Sequence, residues 1–305
     1  MRTVVSLQDL EELEIKPEGL LAEFRVISER SIRDWFPASS LRLIACPACG
    51  SDDDAPAFEK LGLLYRECRT CGSLFVSPRP TQEALDRYYE RSPAASFWRE
   101  RLLGATAEVR LEKLVAPRAD WVLDGVAEHL TGARRVSDRS AGGELLSETL
   151  TSGGLRMAAD PPVDLITAFD RFDRVADLRG FVDEAARDLR ADGLLFATAP
   201  CASGFEVQTL WERNEALLPP DKLNVPSVEG LQRLLAPPRW EILELSTPGL
   251  FDAENVRRAV AQDPASWPRA VRALVGPADD GTALQELLQR TRRASFARVI
   301  VRRVR

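Results

Sequence analysis

The sequence predicts an α/β protein in which an N-terminal helix and a zinc ribbon precede a largely parallel sheet. Two close cysteine pairs lie between residues 41 and 80, and strand-like and helix-like segments alternate from residue 134 onward. Such alternation is typical of parallel strands joined by helical crossovers. The 305-residue chain is 45% hydrophobic and 29% charged, as in ordinary globular proteins, and its length corresponds to about two domains.

Composition and charge disfavour several classes of protein. No stretch approaches the roughly 18 apolar residues of a membrane span, and the N-terminus turns acidic where a signal peptide would be apolar. The 41 Lys and Arg residues are outnumbered by 47 Asp and Glu residues, whereas nucleic-acid binding needs a basic surface. Five cysteines are too few for a disulfide framework and indicate metal ligation in a reducing compartment. We therefore expect a cytoplasmic protein.

Residues 1–40 predict a helical arm. Pro17 suits the first turn of a helix, and an apolar stripe at helical spacing begins at Leu20. We expect this amphipathic helix to pack on the core of the same chain. Residues 81–130 predict a helical linker, which begins after the favourable N-cap residue Thr81.

Residues 41–80 contain a C-x2-C-x18-C-x2-C pattern, which is the spacing of a four-thiolate zinc site. A glycine follows each pair and permits the left-handed backbone that such turns need. Four thiolates complete a tetrahedral shell with no open position, so we predict a structural zinc ion. The predicted zinc ligands are Cys46, Cys49, Cys68 and Cys71. The remaining cysteine, Cys201, is expected to be a small buried residue.

Residues 131–305 predict the α/β domain. Short apolar runs alternate with amphipathic segments, as in a sheet that is covered by helices. The strand candidates are residues 135–138, 163–169, 194–198, 240–246 and 296–302.

The cysteine-rich stretch from Arg66 to Thr81, RECRTCGSLFVSPRPT, and the pair Tyr88-Tyr89 resemble one bacterial protein family. These are class I S-adenosylmethionine (SAM)-dependent methyltransferases with an N-terminal zinc-binding domain, and they include sugar C-methyltransferases. Four later segments resemble the family's later strands and loops and occur in the family's order: 163–169, 191–200, 246–249 with Asp252, and 294–301. The resemblance implies a seven-stranded, Rossmann-like sheet with the cofactor at the strand carboxyl ends.

The cofactor loop departs from the family pattern. The resemblance assigns SAM binding to Asp138 and Gly142, but Ser140 and Glu144 replace two of the family's glycines. A Cβ at these positions restricts close approach of the backbone, and the added carboxylate would repel that of the cofactor. About 20 residues follow before the next clear strand, so we predict that the fold is shortened by about one βα unit. Asp160 is the one carboxylate left that could take the role of the family's ribose ligand, although a loop position suits it better.

The catalytic positions depart as well. Where many family members carry a Glu-His pair, this chain has Asp173 and Arg174, and Lys222 stands where a later histidine often lies. Arginine is not deprotonated in proteins and cannot serve as a base. The single histidine, His129, precedes the first sheet strand, where we expect a surface or interface position. The resemblance implies Tyr89 as a catalytic candidate, because the Tyr88-Tyr89 pair matches one near the family's active site. The other candidates are Asp173 and Glu206, which follows the strand candidate at residues 194–198.

These observations favour a zinc-containing, methyltransferase-like protein that is catalytically impaired and acts as an interaction or accessory subunit in sugar or surface-polysaccharide biosynthesis. Two alternatives stay open: an active SAM-dependent methyltransferase of sugars or small molecules with a divergent pocket, and a zinc-ribbon binding module. Zinc is the expected cofactor, joined by SAM only if the divergent pocket is competent. The expected partners are another protein or a second copy of the chain, and a nucleotide sugar or other small molecule.

Overall fold

The computed structural model describes residues 5, 10–142, 144–276 and 278–304, and of residues 278–280 only the backbone is considered. Within these ranges no helix combines the length and the apolar character that a membrane crossing requires. The chain forms a mixed α/β fold with two sheets, of four and six strands.

The N-terminal arm consists of α1 (Glu12–Ile15) and α2 (Glu18–Trp35). Pro17 directly precedes α2, which is consistent with the predicted first-turn position. Phe24 lies on the buried face of α2 and packs against Phe97, with 6.4 Å between ring centroids. The arm thus packs on helices of the linker.

The small sheet is formed by β1 (Asp54–Lys60), β2 (Leu63–Cys68) and β3 (Leu74–Val76), which pair antiparallel. A fourth strand, from far along the chain, pairs with β3 through Leu74 and Val225. The side chain of Arg79 is fully buried beside this junction and donates to Asn224 Oδ1 at 2.7 Å. The cysteine-containing segment is therefore joined to the later part of the chain by backbone pairing.

The linker is helical almost throughout. It contains α3 (Gln82–Arg91), α4 (Pro93–Phe97), α5 (Gly104–Arg110) and α6 (Ala116–His129). The Thr81 hydroxyl accepts a hydrogen bond from the Ala84 amide at 3.3 Å and caps α3, as predicted. Two π-helical segments, at residues 98–103 and 111–115, connect α4, α5 and α6 into one long helix. Such segments are rare and often occur at functional sites.

The remaining chain alternates between strands and helices. The strands are β4 (Arg135–Asp138), β5 (Arg156–Met157), β6 (Val163–Ala168), β7 (Leu189–Pro200), β8 (Asn224–Val225), β9 (Trp240–Ser246) and β10 (Phe296–Arg303). The helices are α7 (Glu144–Ser152), α8 (Leu178–Asp188), α9 (Phe205–Leu210), α10 (Val228–Leu234), α11 (Asp252–Gln262), α12 (Arg269–Leu274) and α13 (Ala278–Arg290).

The large sheet has the strand order β5-β4-β6-β7-β10-β9. The first four strands are parallel, and β10 runs antiparallel to both β7 and β9. This parallel-rich architecture is the predicted fold class. In the described ranges the sheet has six strands, and the edge strand β5 has only two residues. The interval between β4 and β6 thus holds one helix and one very short strand, in agreement with the predicted loss of about one βα unit.

The helix α6 lies unusually close to this sheet. A Cβ added at Gly125 would sit 2.7 Å from the ring of Phe196 and 3.1 Å from Ile300. Trp121, one turn earlier, lies in edge contact with Phe196 and stacks on Phe169 at 5.7 Å between centroids. The glycine lets the helix approach, and the tryptophan fills the space at the carboxyl ends of the central strands.

Candidate functional site

The four paired cysteines come together at one point. Their sulfur atoms all lie within 4.8 Å of one another, with 3.7 Å between Cys46 and Cys71 and 3.5 Å between Cys49 and Cys68. A tetrahedral zinc site with bonds of about 2.3 Å places its sulfurs about 3.8 Å apart. The donor set and its spacing therefore fit zinc.

Two equivalent turns create this arrangement. Gly50 and Gly72 have φ angles of +80° and +67°, and their amides donate to the carbonyls of Cys46 and Cys68 at 2.8 and 2.7 Å. Each turn thus closes over its own pair and points two sulfurs inward. Three of the four cysteines are buried and Cys49 is half-buried, and four thiolates leave no open coordination position, so the site suits a structural ion.

The polar side chains of the loop predicted to bind SAM make hydrogen bonds within the chain. Asp138 Oδ1 accepts hydrogen bonds from the Ser140 amide at 2.9 Å and the Thr167 hydroxyl at 2.8 Å. Its Oδ2 accepts from the Ser147 hydroxyl at 2.9 Å. The Ser140 hydroxyl in turn accepts from the Phe169 amide at 2.9 Å. Asp138 therefore binds its own loop rather than presenting both oxygens outward.

Backbone hydrogen bonds also join the loop after β4 to the end of β6. The amides of Arg139 and Ala141 donate to the carbonyls of Thr167 and Phe169 at 2.8 and 2.9 Å, so the β4–β6 pairing continues beyond the two strands. In open α/β sheets the ligand crevice lies where the strand order reverses, which here is between β4 and β6. In this structure the chain's own hydrogen bonds bridge the crevice, and a ligand placed between the two loops would have to displace them.

The other predicted residues of this region lie apart. Gly142 adopts a left-handed φ of +69° but is exposed, as is Glu144. Asp160 is exposed in the loop before β6, where its carbonyl accepts from the Arg135 side chain at 2.7 Å.

A cavity of about 730 Å³ lies next to the closed crevice, at the carboxyl ends of β6 and β7. Its floor includes Asp170 after β6, Thr198 and Pro200 of β7, and Arg298 of β10. The arm helices α1 and α2, the π-helical parts of the linker and α11 form its walls. Small-molecule sites have volumes of roughly 300–1,000 Å³, so the cavity has the size of a ligand site.

One end of the cavity is crowded with ion pairs. Arg118 contacts both carboxylate oxygens of Asp170, at 2.7 and 3.3 Å, and Arg174 lies 3.4 Å from Asp221. Lys222 pairs with Asp173. Burial opposes ionisation of Asp170, but the charges of Arg118 and Lys222 outweigh it and hold the pKa of Asp170 well below its usual value.

The other end carries carboxyl groups. Glu206 lines the cavity from α9 and accepts a hydrogen bond from the Asn214 side chain at 3.2 Å. Burial, followed by the neighbouring carboxylate of Asp252, raises the pKa of Glu206 to about 8. Asp252 is itself tied to the amide of Ser295 at 2.7 Å. Glu206 is thus a proton-exchanging group poised close to neutral pH.

The three catalytic candidates differ in position. Glu206 lines the cavity, whereas Tyr89 and Asp173 do not. Asp173 is fully buried, and burial raises its pKa while Lys222 opposes the shift. The Tyr89 ring lies 5.7 Å below the Arg174 guanidinium. These two residues support the lining cations rather than facing the cavity themselves.

Other residues singled out from the sequence lie outside the cavity. His129 ends α6, 3.9 Å from Glu128. Cys201 is buried beside the Ser203 hydroxyl, and burial raises the pKa of its thiol. Neither arrangement activates a nucleophile or a base.

Several charged residues of the cavity were missed from the sequence, above all Arg110, Arg118 and Asp170. A signal for Asp170 was present, because the triplet Phe-Asp-Arg occurs twice in succession at residues 169–174. Only the second aspartate was singled out, whereas the first one faces the cavity. The linker arginines gave no such signal, because a helix surface is commonly charged.

No protein-family model matches the chain, and no curated protein does. Solved structures with similarity to it include methyltransferases. The plantazolicin methyltransferase BpumL in complex with SAH is 9% identical, with a TM-score of 0.44 over 73% of this chain and 95% of that one. A putative sarcosine dimethylglycine methyltransferase from Galdieria sulphuraria is 13% identical, with a TM-score of 0.40 over 62% and 86%.

Coclaurine N-methyltransferase bound to N-methylheliamine and SAH is 10% identical, with a TM-score of 0.36 over 60% of this chain and 72% of that one. At such identities and TM-scores the similarity carries no argument about the activity of this chain. The function must therefore be argued from its own residues.

Proposed function

We propose that the chain is a zinc-braced, methyltransferase-like protein that binds a small molecule in its cavity and does not bind SAM at the β4–β6 crevice. In this proposal it acts as an accessory or interaction subunit rather than as a methyl-transferring enzyme. The observation that carries the proposal is the bridging of the crevice by Ala141 and Phe169, reinforced by the Ser140 hydroxyl.

A ligand that opens the crevice between β4 and β6 must break hydrogen bonds within the chain. Opening the crevice breaks at least two backbone hydrogen bonds and the hydroxyl contact of Ser140. Each net hydrogen bond contributes about 1 kcal/mol, so a ligand that opens the loops forfeits about 3 kcal/mol, or roughly a hundredfold in affinity. Asp138 would in addition have to exchange three internal partners for the cofactor.

Zinc is the metal that we propose for the Cys46, Cys49, Cys68 and Cys71 cluster. The two left-handed glycine turns and the sulfur spacing support it. Zinc bound there would join the turn before β1, which carries Cys46 and Cys49, to the end of β2 and the turn after it, which carry Cys68 and Cys71. A setting in sugar or surface-polysaccharide biosynthesis rests on the sequence resemblance alone.

The test is titration of the purified, zinc-containing protein with SAM and with SAH by calorimetry. We expect no heat of binding at micromolar ligand. The variant Ser140→Gly restores a family glycine and removes one bridging contact, so any residual affinity should rise in it. Micromolar affinity of the unaltered protein for SAM would overturn the proposal.

A second candidate is an active methyltransferase with a divergent pocket. The position of Glu206 favours it, because a carboxyl group with a pKa of about 8 is suited to general acid–base chemistry near neutral pH. A crystal soaked with SAM distinguishes the two: cofactor bound beside Asp138 and Gly142 supports the enzyme, whereas a crevice still bridged by Ala141 and Phe169 supports the binding protein.

A further inference from the structure

Five arginines of the cavity lining lie over aromatic rings. The guanidinium carbons are 4.7–5.8 Å from the ring centroids in the pairs Arg110–Trp98, Arg118–Phe169, Arg174–Tyr89, Arg213–Trp267 and Arg298–Trp121. Stacking holds the planar guanidinium fork in one orientation, so little rotamer freedom is lost when it binds a carboxylate or phosphate.

Three of these residues form an arginine cluster at one end of the cavity: Arg110, Arg118 and Arg174. Their charges act on one another: burial lowers the pKa of Arg110, the carboxylate of Asp170 opposes this shift, and the guanidiniums of Arg118 and Arg174 lower the pKa further. Arg118 and Arg174 have carboxylate partners. In the described part of the chain no ion pair is formed by Arg110, whose Nε and Nη2 donate only to the Thr106 hydroxyl and the Ile15 carbonyl.

A half-buried cation without an ion-pair partner is costly, because two neutral hydrogen-bond acceptors replace only part of its lost hydration. Beside it lies further unused hydrogen-bonding capacity. In the described residues Nε of Arg174, which lines the cavity, is buried without a partner, and such groups are usually satisfied by water or a ligand. Two π-helical segments flank Arg110 and place Trp98 and Lys113 in the same lining.

The remaining walls combine apolar and aromatic side chains with charged and polar ones, such as the carboxyl groups of Glu206 and Asp252. Phe24, Trp121 and Phe296 line the cavity together with leucines of the arm. A ligand that fills it therefore needs a flat or apolar body as well as a charged group.

We propose that the arginine cluster binds the anionic group, a carboxylate or a phosphate, of a small molecule whose aromatic or apolar part occupies the rest of the cavity. This inference rests on the proposed function, because it assigns a ligand class to the same cavity.

The test uses three probes that share a benzene ring: phenyl phosphate, benzoate and neutral benzamide. Calorimetric titration of the zinc-containing chain should give binding of at least one anion, roughly tenfold or more tighter than that of benzamide, because charge-assisted hydrogen bonds are the strong ones. The affinity of the anion should fall as salt is added. A preference for phenyl phosphate or for benzoate shows whether the arginine cluster binds a phosphate or a carboxylate.

The key variant is Arg110→Met, which leaves no carboxylate unpaired and should weaken anion binding by roughly 10- to 100-fold. Its matched control is Arg101→Met. Arg101 lies in the same long helix, also stacks on a ring (Phe97, at 5.7 Å), and is exposed outside the cavity lining. Arg110→Lys, which keeps the charge but not the fork, should lose less than Arg110→Met. Melting temperature and zinc content verify that each variant is folded.

The anion inference would be overturned if benzamide and the anions bound with equal affinity and if Arg110→Met and Arg101→Met had the same effect on binding. The cavity would then still be a small-molecule site, but without a preference for anions. Failure of both anions to bind at millimolar concentration would overturn the anion inference as well. The separate SAM titration decides the proposed function, so the two failures are distinguishable.

Discussion

Replacing Glu206 by glutamine should remove a pH dependence of stability that the unaltered chain carries. Glu206 is 8% exposed, and its pKa rises from an ordinary value of 4.5 to about 8 on folding. Between these values the unfolded chain is ionised at this position while the folded chain holds the proton. Unfolding therefore releases a proton, and the free energy of unfolding falls as the pH rises from 4.5 to about 8.

The magnitude follows from the shift. From pH 6 to pH 8 the linkage removes about 2 kcal/mol from the free energy of unfolding, at 1.36 kcal/mol for each unit of pKa difference. Glutamine does not titrate and keeps an oxygen that can accept from Asn214. From pH 6 to pH 8 the free energy of unfolding of Glu206→Gln should therefore rise by about 2 kcal/mol relative to that of the unaltered chain.

The assay is urea unfolding at several pH values, with the difference between the two chains plotted against pH. Release of metal from the cysteine cluster is common to both and cancels in the difference. Glu215→Gln serves as the control: its carboxylate is 65% exposed and pairs with Arg25 at 2.7 Å, so the change should be worth under about 0.5 kcal/mol throughout. A difference between Glu206→Gln and the unaltered chain that stays flat from pH 6 to pH 8 would contradict the raised pKa of Glu206 in the folded chain.

Three further predictions follow from the packing and the metal site. Cys68→Ser should lose the one equivalent of zinc measured by metal analysis and destabilise the small sheet, whereas Cys201→Ser should keep the zinc and cost about 1 kcal/mol; equal losses in both would contradict the cluster. Gly125→Val should lower the unfolding free energy by about 1–3 kcal/mol, since the added atoms meet an aromatic ring of β7; an unchanged urea midpoint would argue against this close approach. Arg118→Met should cost about 2 kcal/mol, because it leaves Asp170 without its main partner, and the loss should shrink at acid pH where that carboxyl is protonated.

The local parts of the structure followed from the sequence. The cysteine spacing identified the four residues that now cluster, since each CxxCG turn fixes its own geometry. The strands β6, β7, β9 and β10 were visible as short apolar runs between helical patterns. The shortened interval after β4 could be counted directly, and it corresponds to the missing strand and to the two-residue β5.

Contacts between distant segments could not be predicted in this way. The strand β8 has two residues, so it carries no periodicity, yet it completes the small sheet by pairing with β3. The cavity is built from segments more than 200 residues apart, and no local pattern brings Glu12 next to Arg258. Asp170 and Asp173 occur in identical triplets, and only the end of β6 decides which of them reaches the cavity.

The short β5 and the closed crevice have a common physical basis. In a full sheet, a third strand and its helix extend the wall beyond β5 and leave the loops after β4 and β6 to line a cleft. Here the sheet ends at β5, and the loop after β4 instead continues its pairing with β6 as far as Ala141 and Phe169. The cavity lies instead on the other side of β6. There Gly125 permits the close approach of α6 to the sheet, and α1 and α2 cover the cavity. Arm contacts such as that of Lys113 with Glu14, at 2.7 Å, close this cavity from outside. The cavity on that side of β6 is therefore formed without the missing βα unit and without the loop after β4, and the ligand site that we propose there needs neither of them.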